Sequence, residues 1–172
     1  QGIIKLLGPA FMSKEAGGEQ AKTRIHDIVT LDSLKFKNMA SLAIAAQLAK
    51  FGKKVLYICA ENMQVFNSGL YAKKNATIAS EAQALAINAV INGDVRGIDN
   101  LIQKGEFDYI PQFNHFLSSY GLNANTVFAL AEAIAKLETY DEIVVEHPLG
   151  FMQESGSRLE KSKSIVIIAG QD

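Results

Sequence analysis

Apolar residues in this chain gather into short runs separated by polar, glycine-marked breaks, and the period of each run predicts an element. Residues 25–31 (IHDIVTL), 54–59 (KVLYIC), 107–110 (FDYI), 142–145 (EIVV) and 164–169 (SIVIIA) are short, rich in β-branched side chains and largely apolar on both faces. Strands read this way when a parallel sheet is covered on both sides. Residues 38–51 (NMASLAIAAQLAKF) are rich in Ala and Leu and apolar nearly all round, which predicts a buried helix, and Gly52 stands where a C-cap belongs. Ser80 with Gln83 has capping-box spacing and predicts a helix to about Asn92, closed by Gly93. A short helix over 94–104 follows, ending at Gly105, and Pro111 stops the strand at 107–110. In residues 125–137, Val127, Leu130, Ala131, Ile134 and Leu137 fall on one helical face.

Strands alternating with helices predict an α/β fold, a mostly parallel open sheet flanked by helices. The regular pattern starts at Ile25. Before it, an apolar run at 3–7, Gly8-Pro9 and Gly17-Gly18 read as the end of an element followed by a linker. The expected division is therefore an N-terminal segment at 1–24 and an α/β domain at 25–172. The chain opens on Gln1 and stops at Asp172 directly after a strand-like run, as a piece of a longer protein would.

Composition narrows the classes. A length of 172 residues with 48% hydrophobic and 20% charged residues fits one globular domain with a sizeable core. The formal net charge of −1 argues against a nucleic-acid coat protein. A single cysteine excludes a disulfide framework and a Cys-rich metal site, and suits a reducing cytoplasm. No apolar run approaches the roughly 18 residues of a membrane span. Cys59, ending a strand with no basic neighbour, reads as a core thiol; His26 and His115 lack the spacing of a zinc site. Lys14, Lys22 and Arg24, and Lys161 with Lys163, read as solvated surface.

In parallel sheets ligands bind beyond the C-terminal ends of the strands, which draws attention to the loops at 32–37, 61–69 and 146–150. Three stretches around these loops carry a resemblance: SLAIAAQLAKFGKKVLYICAEN (41–62), EFDYIPQF (106–113) and YDEIVVEHPLGF (140–151). In order and spacing they resemble the MinD/ParA group of P-loop ATPases, and within it the TadZ/CpaE branch linked to pilus assembly. The resemblance implies a P-loop domain in which the phosphate-loop strand and the Walker B strand are neighbours. It also implies a homodimer and the possibility of an N-terminal receiver-like domain, with 1–24 as its tail. The elements that usually complete the sheet would lie beyond Asp172.

Counting back from Gly52-Lys53-Lys54, the phosphate loop of this family falls on Asp32 to Asn38. Lys37 keeps the last lysine of the pattern. Ser33, Leu34 and Phe36 stand for its glycines, Asp32 for its signature lysine, and Asn38 for its Mg²⁺-binding hydroxyl. Glycines let successive backbone N–H groups turn toward one anion, and a Cβ at a left-handed position costs roughly 1–2 kcal/mol. Asp32 would repel phosphate, while Lys35 and Lys37 leave positive charge at the helix start. Glu146 takes the place of the Walker B aspartate and is one methylene longer, a change that matters to the tight octahedral geometry of Mg²⁺. His147 and Pro148 beside it read as structural. Glu61, after the second strand, takes the place of the acidic group that positions water.

Two readings follow. In one, the chain keeps the ATPase fold, hydrolyses ATP poorly or not at all, and helps place a pilus or secretion machine by dimerising and docking partners. Such a protein would be cytoplasmic, recruited to a pole or to the inner face of the membrane. In the other it is a working ATPase. ATP then lies against Ser33, Lys35, Lys37 and Asn38, Mg²⁺ is held by Asn38 and Glu146, and Glu61 serves as the catalytic group.

Overall fold

A computed structural model describes residues 23–30, 37–60, 80–111, 117–147 and 162–168. Five strands form one sheet, β1 (Arg24–Thr30), β2 (Val55–Cys59), β3 (Asp108–Ile110), β4 (Glu142–Glu146) and β5 (Ser164–Ile168). Their order is β3-β2-β4-β1-β5, and every neighbouring pair is parallel. The strand after which the phosphate loop was expected, β1, lies directly beside β4, the expected Walker B strand.

Helix α1 (Lys37–Lys50) covers one face of the sheet. Ser41, Ala45 and Leu48 point inward and pack with Ile28, Val55, Tyr57, Val144, Val166 and Ile168. The expectation of a helix buried all round fails here. Ala43 and Gln47 face solvent and Met39 is 58% exposed. Alanine is cheap to expose and strongly helix-forming, so Ala43, beside Met39 on the outer face, imitates burial in the sequence.

The opposite face carries α2 (Ser80–Ile91) and α4 (Ala124–Ala135). Ile87 and Val90 of α2 meet Val127, Leu130, Ala131 and Ile134 of α4 over Ile25, Leu56, Ile58, Ile143 and Val145 of the sheet. Helix α4 starts with a capping box in which Asn123 and Thr126 satisfy each other's backbone N–H. In α2, by contrast, Gln83 donates through its side-chain amide to the Pro111 carbonyl (2.6 Å), tying the helix to the end of β3. The helix expected at 94–104 is broken. A 3₁₀ turn (Val95–Gly97) runs into the single turn α3 (Ile98–Leu101), after which Gln103 forms an antiparallel bridge with Tyr109. Leu101 and Ile102 are both buried, and Ile102 already has extended backbone (φ −96°, ψ 125°), which ends the helix there.

Candidate functional site

The parallel order brings the C-terminal ends of β1, β2 and β4 together, with the start of α1 beside them. Register sets Glu146 opposite Ile28 of β1 on one side and Cys59 of β2 on the other. Glu146 is buried, and its side chain lies on the α1 side of the sheet. Its Oε2 accepts a hydrogen bond from the Tyr57 hydroxyl (2.6 Å) and another from Ser41, one helical turn beyond Lys37. Burial pushes the Tyr57 phenol well above its ordinary value, helped by the neighbouring Cys59 and Glu146. Tyr57 therefore stays protonated and remains a donor. Cys59 is half-buried at the strand end, more open than a core thiol.

On the other face, Asp27 and His147 are both fully buried and paired through Asp27 Oδ1 and His147 Nε2. The second oxygen of Asp27 accepts from the Ser162 hydroxyl, just ahead of β5. The backbone N–H of His147 donates to Ile28 (2.9 Å), and its ring lies against Phe128 of α4, 6.3 Å between centroids. One carboxylate in β1 thus holds residues flanking both ends of the 148–161 stretch.

A third polar cluster occupies the N-terminal edge of the sheet, on the α1 side. Glu142 is buried and receives Arg24 through Nε (3.1 Å) and Nη2, the bidentate arrangement that suits guanidinium. His26 bridges Glu142 Oε2 (2.6 Å) and Ser164 Oγ (2.5 Å) through its two ring nitrogens. Burial alone would raise the Glu142 carboxyl, but hydrogen bonds and charge from His26 and Arg24 outweigh it and hold it below its ordinary value. Arg24 is therefore an internal partner of Glu142 rather than the solvated basic spot expected, while Lys163 is exposed as expected.

Of the sequence-derived candidates, Lys37 and Asn38 lie in the first turn of α1, where the backbone alone is described. Ser33, Lys35 and Glu61, together with Asp32, Leu34, Phe36 and His115, fall outside the described residues. The sequence reading missed Ser41, Tyr57, Asp27 and Glu142. A signal was present for each: a polar residue inside an otherwise apolar strand or inward helix face must find a partner once buried.

No family profile matches the sequence, and no curated protein matches it. Among solved structures, the fold is similar to a plasmid partition protein from Borrelia burgdorferi (TM-score 0.60, 23% identity, 85% of this chain and 64% of that one). It is similar also to a ParA family ATPase from Chlorobium tepidum (TM-score 0.59, 18% identity, covering 84% and 59%). A third similar structure is cobyrinic acid a,c-diamide synthase from Mycobacterium smegmatis with bound ATP analogue and magnesium (TM-score 0.57, 19% identity, covering 85% and 59%). The architecture is thus that of ParA/MinD-type P-loop ATPases, and this chain spans about 59% to 64% of the lengths of these three proteins.

Proposed function

We propose that this chain is a ParA/MinD-fold docking protein of the TadZ/CpaE kind, with weak or no ATP hydrolysis. It would act as a homodimer that helps place a pilus or secretion machine at a pole or at the inner face of the membrane. Residues 25–172 would form the docking domain and 1–24 the tail of a receiver-like domain.

The observation that carries this reading is the environment of Glu146. Its Oε2 takes hydroxyl donors from Ser41 and Tyr57, and the group is shut away from water. Magnesium requires near-octahedral oxygens and keeps several waters, and two hydroxyls already occupy Oε2 of Glu146, which works against direct coordination through that oxygen. The hydroxyl contacts tie α1 and β2 to β4. In the same direction, Ser33, Leu34 and Phe36 remove the glycines of the phosphate cradle, Asp32 adds repulsion, and Asn38 removes the hydroxyl.

The second reading, an ATPase switch, is favoured by the fold shared with the synthase that binds an ATP analogue and magnesium, and by Lys37 opening α1. In that case Lys35, Lys37 and Asn38 with Ser33 would hold ATP, Glu146 would move to reach Mg²⁺, and Glu61 would order water. A thermal-shift titration with ATP and Mg²⁺ on the parent chain and on Lys37→Ala separates the two. A nucleotide at 100 times its Kd stabilises the fold by about 2.7 kcal/mol. The docking reading expects a shift well below that size or none. A shift of that size in the parent that Lys37→Ala abolishes would overturn it.

A further inference from the structure

The end of the sheet remote from the candidate nucleotide edge carries a feature that the reading above does not use. Lys50 closes α1, Phe51 and Gly52 make the turn, and Lys53 and Lys54 lead into β2; all five residues are exposed. Phe51 is 61% exposed, a large apolar side chain on an otherwise cationic turn. Gly52 adopts φ +79°, which reverses the chain sharply, and the space where its Cβ would stand is open. Among the described residues neither Lys50 nor Lys53 enters an ion pair. Lys54 lies over the Tyr140 ring, 5.2 Å from its centroid, and its backbone N–H donates to Asp141, the acidic neighbour of this turn. Exposed Lys163, ahead of β5, extends the positive charge along the same sheet edge. The whole chain carries a net charge of −1, so this positive excess is local.

We propose that the turn at residues 50–54 docks on an anionic lipid bilayer, with Phe51 entering the headgroup region and Lys50, Lys53 and Lys54 contacting lipid phosphates. The shape favours a bilayer over a peptide. All five residues of the turn are exposed, and among the described residues nothing lies within 4 Å of where a Gly52 Cβ would stand, so no groove for an extended chain is formed there, whereas a soft anionic plane meets the phenyl and the ammonium groups together. Lysine stems cover apolar surface while their heads stay with phosphate, and attraction to anionic lipid adds over each lysine. The inference rests on the membrane-recruitment part of the proposed function, but its residues and its test are separate from the nucleotide edge.

The test is flotation of the chain, without nucleotide, with phosphatidylcholine vesicles containing about one third phosphatidylglycerol, against phosphatidylcholine alone. The parent should float with the anionic vesicles only, and added salt should release it. Lys50→Glu with Lys53→Glu should weaken binding about tenfold or more. The chain has no tryptophan, so Phe51→Trp places a single reporter at the tip, and its emission should move to the blue on the anionic vesicles. Unchanged melting temperatures would show that these surface variants are folded. The proposal is overturned if the parent does not float, if the charge-reversed variant floats equally well, or if the Trp emission stays fixed. Binding of soluble polyglutamate in place of vesicles would assign the turn to an acidic protein and overturn it as well. A failure here leaves the ATP titration untouched, and an ATP-dependent shift leaves the vesicle result untouched.

Discussion

Strand β4 carries a buried glutamate at each end, both on the face covered by α1, and the two are accommodated in opposite ways. Glu142, at the N-terminal end, meets a guanidinium and an imidazole. Glu146, at the C-terminal end, meets two neutral hydroxyls. The first is a charge matched by charge in a partly open cluster, since the Arg24 side chain keeps 28% of its surface in water. The second is a carboxylate solvated by protein dipoles in a dry interior. Among the described residues, an ion pair secures Glu142 at one end of the strand, while two hydroxyl hydrogen bonds secure Oε2 of Glu146 at the other.

The largest effect should come from breaking the charged end. Glu142→Ala leaves His26 and Arg24 without their anion and should cost about 3–5 kcal/mol, read as a lower urea midpoint. The lower part of that range applies, because Arg24 reaches water.

At the other end, Tyr57→Phe removes one donor to a buried carboxylate and should cost about 1.5–3 kcal/mol. Ser41→Ala should act in the same direction. Because both hydroxyls serve one oxygen, the double variant should depart from the sum of the two single changes, which a double-mutant cycle measures directly. Strict additivity would mean that the two hydroxyls act independently and would dissolve the contrast drawn above.

The smallest and most diagnostic difference is in pH. The Glu142 carboxyl is held below its ordinary value of 4.5, so the unfolded chain binds its proton more readily than the folded one. Its contribution to stability is complete above 4.5 and is lost as the pH falls through the lower, folded value. Glu142→Gln should flatten this acid limb of the stability curve. Denaturant midpoints that keep the parent's slope below that pH would show that Glu142 is not the group responsible.

Much of the scaffold was legible before any coordinate. Strand runs such as VLYIC and EIVV are apolar on both faces because the parallel sheet is covered on both sides, and the periodic face of α4 was read almost to its ends. The neighbouring of β1 and β4 came from resemblance, since no local pattern encodes which strands lie side by side. The polar clusters were visible only as oddities. His26 and Glu142 stand 116 residues apart, and His147 and Asp27 stand 120 apart. A single sequence shows that each of these residues needs a partner, but the partner is chosen by register. Gln83 had the spacing of a cap and instead serves the Pro111 carbonyl, because helix-end signals cannot anticipate a tertiary acceptor within reach.

The strand order also governs how the molecule must assemble. The β1-α1-β2 unit brackets a vacant lane about two strand spacings wide, roughly 9.6 Å between β1 and β2, that only β4 fills. Arg24 therefore waits for Glu142, 118 residues downstream, before the middle of the sheet can close. On a ribosome the first half of the chain would emerge with its central lane empty and both flanking strands unpaired along it. Folding should then be late and slow for a chain of this size, with loop-closure entropy setting its rate.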